Sequence, residues 1–338
     1  MRKSWFLIAI LTLFFACKSS KDIVSADKVI VTFGSCNRHD RDNVFWDDIL
    51  AQNPDVFIWG GDIIYADTDD AEKIAKYYNM QNAVSGYAQL KKKVLITGTW
   101  DDHDYGLNDG GEEFVSKKES QQVFLDFMDV PANSQRRKRE GVYSSQVIAK
   151  PNGTVKIINL DTRYFRTALT DDKTKGRRYK PNQPGEGTIL GEEQWKWLES
   201  ELINSKADFN LIVSSIQFLS NEHGFEKWAN HPSEVKKMKE VIANSRAKGV
   251  ILLSGDRHIS EFSKANIEGL SYPLIDFTSS GLTHSYSNFS GEPNPYRVKG
   301  VISVPSFGML ELDLKSKNVN MKILGDDGVV LQELKQSY

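Results

Sequence analysis

The sequence predicts an α/β fold in which mixed β-sheets are flanked by α-helices, all within one domain. Three observations carry that expectation. Apolar, β-branched runs end abruptly in polar residues, amphipathic helical repeats lie between them, and hairpin signals occur in mid-chain and near the C-terminus. Continuous apolar strands are expected where both faces of a sheet are covered. Strands alternating with helices indicate α/β layering. The 338 residues, 40% of them hydrophobic, suffice for one large core, and neither a linker nor an internal repeat divides them.

The elements follow in order. Residues 29–33 run into Gly34-Ser35-Cys36-Asn37, and residues 55–59 into Gly60-Gly61-Asp62. Residues 94–97 precede Trp100-Asp101-Asp102-His103-Asp104. Residues 211–213 lead to Ser214-Ser215 and Gln217, and residues 250–253 to Ser254-Gly255-Asp256-Arg257-His258. Helical spacing appears at residues 43–52, 117–128, 191–204 and 233–247. Ser233 is the expected N-cap of the last of these. Two strands around Pro151-Asn152-Gly153 read as a hairpin, and residues 309–333 read as further antiparallel strands turning at residues 325–328.

Charge excludes some partners. With 43 basic and 45 acidic residues the net charge is -2, which implies neither a nucleic-acid surface nor an acidic tail. The basic run Arg136-Arg137-Lys138-Arg139 reads as a solvated loop. At the N-terminus, Arg2-Lys3 precedes an apolar stretch, residues 5–16, too short to span a bilayer, and then Cys17. This resembles a bacterial lipoprotein signal ending at a lipidated Cys17, with an ordinary signal peptide or anchor helix as alternatives. Residues 1–17 are therefore expected to be signal, 18–27 a tether and 28–338 the single folded domain of an exported lipoprotein, periplasmic or on the outer surface of a bacterium. Lipidation of Cys17 would leave Cys36 without a disulfide partner.

The polar clusters fall at the carboxyl ends of strands, where ligands bind in open α/β sheets. They offer Cys36, Asp62, Tyr65, Asp101, Asp102, His103, Asp104, Asp256 and His258. So many anionic and imidazole groups would repel one another without a compensating charge, and bound cations supply it.

Four blocks here carry a family resemblance: Ser35-Cys36, Gly61-Asp62-Ile63-Ile64-Tyr65, Trp100-Asp101-Asp102-His103 and Gly255-Asp256-Arg257-His258. Together they resemble the PhoD-like (alkaline phosphatase D type) branch of the calcineurin-like metallophosphoesterases. The resemblance implies a metallophosphoesterase-type sandwich that hydrolyses phosphate mono- or diesters with a metal-bound hydroxide, using two or more metal ions, iron(III) and calcium. It implies Cys36, Asp62, Tyr65, Asp102, Asp256 and His258 as metal ligands, with Asp62 bridging. His103 would protonate the leaving oxygen and Asp104 would orient its ring. Asn37 and Arg163 are the expected substrate contacts. Gln217 stands where the wider superfamily has a metal-binding histidine. The alternative is a lipid-anchored protein that binds phosphate ligands around a structural metal site. His39 and His284 read as ordinary surface or core residues.

Overall fold

The computed structural model describes residues 27–338. The expected signal, Cys17 and most of the tether lie outside the described residues. No described helix is long and apolar enough to cross a membrane.

Fifteen strands are described. In chain order they begin with β1 (Lys28–Gly34), β2 (Val56–Gly60), β3 (Leu95–Thr99), β4 (Ser144–Lys150), β5 (Gly153–Asn159), β6 (Thr170–Asp171) and β7 (Tyr179–Lys180). They continue as β8 (Phe209–Val213), β9 (Val250–Ser254), β10 (Ser260–Ala265), β11 (Leu274–Ser279) and β12 (Arg297–Ile302), ending with β13 (Phe307–Asp313), β14 (Asn318–Leu324) and β15 (Val330–Ser337). The α-helices are α1 (Trp46–Ala51), α2 (Ala71–Ala83), α3 (Ser85–Lys93), α4 (Asp102–Tyr105), α5 (Lys117–Phe127), α6 (Gly191–Ile203) and α7 (Pro232–Ser245).

Two large mixed sheets result. One has the order β15-β14-β13-β1-β2-β3 and the other β12-β10-β11-β9-β8-β5-β4. Within the first, β1, β2 and β3 are parallel. Within the second, β5, β8, β9 and β11 are parallel. One apolar core joins the inner faces of the two sheets, for example Val31, Phe33 and Ile58 with Leu211, Leu253 and Phe277. A second core packs α1, α2, α3 and α5 outside the first sheet, and a third packs α6 and α7 outside the other. Strands β2, β8, β9 and β11 are buried along their whole length because each lies between a helical layer and the opposite sheet.

The mid-chain hairpin forms in the expected place. Strands β4 and β5 pair from Lys150 with Gly153 to Ser144 with Asn159, turning at Pro151-Asn152. One expected cap is corrected: α7 starts with Pro232 at its first position after His231, and the Ser233 hydroxyl instead accepts the Gly185 N–H at 2.7 Å. The basic run is not free in solvent either. Arg136 donates to Val142 O, Arg137 donates to Val130 O, and the Arg139 guanidinium lies 3.7 Å from the Tyr143 ring centroid.

Candidate metal centre

Parallel strands from both sheets end at one edge, and the polar blocks meet there. Cys36, Asp62, Asp256 and His258 all take left-handed backbone conformations, with φ of 57°, 50°, 67° and 54°. Such conformations cost free energy in non-glycine residues and persist where the surroundings enforce them. They turn the chain sharply off each strand and aim the side chains at a common point. Close packing fixes the neighbouring glycines. A Cβ on Gly255 would lie 2.5 Å from Ser35 Oγ, and one on Gly61 (φ 98°) would lie 2.5 Å from Asp101 Cβ.

Three overlapping groups place ligand atoms within 4.8 Å of one another: Cys36, Asp62 and His258; Asp62, Asp102 and His103; and Asp101, Asp102 and Asp256. Asp62 belongs to two of them, each carboxylate oxygen serving a different side. Its Oδ2 accepts from Cys36 Sγ at 3.5 Å and the Tyr65 hydroxyl at 3.2 Å, and its Oδ1 from the His103 N–H at 3.4 Å. Tyr65 also lies 3.1 Å from His258 Nε2.

The electrostatics show what these groups lack. Burial pushes the Cys36 thiol up to about 12 and holds Asp62, Tyr65 and Asp101 well above their usual values. Burial also raises Asp256 to about 7, Arg257 opposing and Asp102 adding to the rise. In Asp102, Arg163, His103 and the Asp109 N–H together outweigh burial and bring it to about 2. The carboxylate oxygen Asp101 Oδ2 is buried without a hydrogen-bond partner. A cavity edge crowded with thiol, phenol, imidazole and carboxyl groups, one oxygen of them orphaned, fits cations as the missing partner.

His103 is held by a residue not singled out in the sequence. Its Nδ1 lies 2.7 Å from Asp67 Oδ1, and its ring stacks on Tyr65 at 4.1 Å between centroids. Burial lowers its pKa, but Asp62, Asp67 and Asp102 outweigh that and raise it to about 10. Asp104 does not orient that ring. It closes the first turn of α4, accepting the Asp101 N–H at 2.5 Å, and braces the preceding loop through Ile63 N–H and the Tyr78 hydroxyl. The signal for Asp67 in the sequence is its place two residues beyond Tyr65.

The two expected substrate contacts are also redirected. Arg163 is fully buried and gives its guanidinium to carboxylates, with Nε 2.5 Å from Asp101 Oδ1 and Nη1 2.5 Å from Glu226 Oε2. Glu226 in turn pairs with Arg166 at 3.0 Å. A phosphate reaching Arg163 would have to displace a carboxylate. Asn37 is buried as well, its amide donating to Ile63 O and Gln81 Oε1 and its oxygen accepting from Asn43. Gln217 turns away from the centre and donates to Glu261 and Thr278, both at 2.9 Å. His284, read as ordinary from sequence, lies against the centre. Its ring centroid is 4.4 Å from His258 and 5.2 Å from Tyr65.

Fold and site together define a class: a two-sheet sandwich, helices outside, with a ligand-rich cluster where parallel strands end. Residues 76–288, well over half the chain, match the PhoD-like phosphatase family, and the chain belongs to that family. It is 24% identical over 232 residues to alkaline phosphatase D of Bacillus subtilis (strain 168), a match covering 59% of this chain and 36% of that protein. The chain thus spans little more than a third of the length of that curated relative. Among solved structures, PhoD superposes with a TM-score of 0.71 at 15% identity, covering 92% of this chain and 68% of PhoD. GAP50 of Plasmodium gives 0.60 at 11% identity, covering 92% of this chain and 89% of its own. A dimetal phosphatase from Danio rerio gives 0.51 at 12%, covering 92% and 99%. At these identities the structural likeness concerns the fold.

Proposed function

We propose that this chain is a metal-dependent phosphoric ester hydrolase, acting on phosphate mono- or diesters at the edge where Cys36, Asp62 and Asp256 converge. The observation that carries the reading is Asp62, shared by two ligand groups, with an imidazole beside it that a carboxylate holds in place. Cys36, Tyr65 and His258 would hold one ion, their thiolate and phenolate suiting iron(III). Asp102 and Asp256, with Asp101, would hold the other, an all-oxygen set suiting calcium. When bound, the ions would neutralise phosphoryl charge and acidify an attacking water.

The chain's own groups supply the rest. Asp67 fixes the His103 ring through Nδ1, which leaves Nε2 to give its proton to the leaving oxygen. Arg163 acts through Asp101, holding that carboxylate and balancing its charge. Export and a lipid anchor at Cys17 belong to the same proposal and rest on the N-terminal sequence.

The direct test is release of nitrophenol from mono- and bis-nitrophenyl phosphate by the chain lacking residues 1–17, supplied with iron and calcium. Turnover that a chelator stops and metals restore is the expected result, and the ratio of rates separates monoesterase from diesterase. Turnover indifferent to chelation would overturn the metal-dependent reading.

His103→Asn separates an enzyme from a phosphate-binding protein built on the same metals. In the enzyme kcat falls by roughly 10²–10⁴-fold, the usual range for a positioned acid. Inorganic phosphate should bind the variant as it binds the parent. Asp67→Asn should cost about 10–100-fold, as loss of a ring-orienting carboxylate does. Unchanged kcat in both variants would remove His103 from the mechanism.

A further inference from the structure

The pole opposite the metal centre has its own chemistry. It is defined by the starts of the parallel strands and the loops that reach them. Asp27 O accepts the Leu314 N–H there, and the Asp27 carboxylate meets Asn152. Asp208 joins the same end, accepting from Thr154 N–H and from Lys317 Nζ at 2.7 Å. The chain outside the described residues therefore leaves from this pole, while β1, seven residues long, carries the fold about 23 Å away towards Cys36.

This end is basic although the chain as a whole is slightly acidic. Lys206, Arg246, Lys248 and Lys315 are exposed around it, with Lys28 half-buried at its centre. None of these five makes an ion pair with another described residue. The nearby acids are mostly committed: Asp208 to Lys317, and Asp313 to the backbone N–H groups of Lys315 and Ser316. Glu240 and Glu268, exposed in the adjoining cleft beside Arg246, and Asp27 are the exceptions. Between Arg246, Lys248 and Lys317 opens a cavity of about 440 Å³, floored by Leu270, Tyr272 and Tyr338. Ile203, the last residue of α6 and three positions before Lys206, is 62% exposed. Exposed cations around an apolar floor match an interface that meets acidic headgroups and the first carbons of acyl chains.

We propose that this pole is a docking face for a bilayer containing anionic phospholipid. Charge complementarity selects the occupant, and the length of chain outside the structure agrees with it. On the lipoprotein reading of Cys17, residues 18–26 separate the acyl chains from Asp27, and nine extended residues reach at most about 30 Å. A chain so tethered keeps this pole against the membrane. The metal centre then faces the aqueous phase, so its substrates are dissolved or polymer-borne esters and not headgroups of the supporting leaflet.

The face can be tested without the acyl group or turnover, because residues 27–338 hold all three cores. The chain from Lys18 onward is mixed with vesicles of phosphatidylcholine alone or with added phosphatidylglycerol, and binding is read by co-sedimentation. Binding should require phosphatidylglycerol and weaken with salt. Combining Lys206→Glu, Arg246→Glu and Lys248→Glu should lower it by more than about 100-fold, at roughly fivefold per cation lost. The control pair Lys118→Glu and Lys173→Glu reverses exposed charges near the opposite edge and should have little effect. All variants should keep the parent's melting temperature. Equal binding to both vesicle types, no binding to either, or a triple variant that binds as the parent does would overturn the docking face. An inactive enzyme that binds through it would overturn only the proposed hydrolysis.

Discussion

Asp62→Asn should leave a folded protein that holds neither metal nor activity. The carboxylate is common to two ligand groups, so its loss weakens both ion positions at once. Turnover should fall on the order of 10³-fold or more, because charge stabilisation and water activation fail together. Metal content by elemental analysis should fall with it. A variant that kept its metals and its rate would remove Asp62 from the centre.

The same substitution should raise the melting temperature of the metal-free protein at neutral pH, since it removes a buried carboxyl group that resists ionisation. A related pH dependence is expected of the parent when chelated. Asp104 and Asp256 titrate at about 7 in the fold, against 3.8 for an ordinary carboxyl group, burial being the main cause. Between those values the folded chain keeps protons that the unfolded chain has released. Their contribution to stability therefore falls as pH rises through that window, and that of His103, raised from 6.5 to about 10, goes on falling above 7. Asp102 runs the other way: its stabilisation is present above the ordinary carboxylate range and is lost only as pH falls towards 2. Metals should reverse the neutral-pH loss by binding the ionised forms. A chelated protein whose melting temperature climbs between pH 5 and 7 would contradict this account.

Arg163→Met is expected to be the most destabilising of the single changes considered. It leaves Asp101 and Glu226 buried with their shared cation gone, a loss of about 3–5 kcal/mol for a broken buried pair. The melting temperature should drop on the order of 10 °C. Adding Asp101→Asn should recover part of it, because Asp101 is the carboxylate left without a cation, whereas Glu226 keeps Arg166 at 3.0 Å. If Arg163→Met melts with the parent and only raises KM, the guanidinium touches substrate after all.

These expectations also mark what the sequence disclosed. Strands that end in Ser35-Cys36, Gly61-Asp62, Asp101-Asp102-His103 and Asp256-Arg257-His258 were legible because an apolar run followed by ligand-type residues is a local signal. The partners of those residues were not. Asp67 reaches His103 across 36 positions, and Glu226 reaches Arg163 across 63, through loops whose course only the packed sheets determine. Helices α2 and α3 went unassigned, although Asp70 caps α2 by accepting from Glu72 and Lys73 N–H and the buried face carries Ile74 and Tyr78. Strand β10 hides for another reason: Ser260, Glu261 and Ser263 are buried polar residues, Ser260 paired with Ser306, Glu261 accepting from Gln217 and Asn294, and Ser263 from Asn294, so no apolar run announces it. His284 was passed over because its neighbours in sequence carry no ligand pattern. It comes to the centre because the backbone after β11 folds back, Gly281 and Leu282 donating to Ser35 O at 3.1 Å.

The left-handed turns at Cys36, Asp62, Asp256 and His258 bear on what fills the centre. Four candidate ligands are held in costly backbone conformations by the packing of the two sheets around them. On the proposed reading as an exported metal enzyme, the sandwich would set the ligand positions and the compartment would decide which ions fill them.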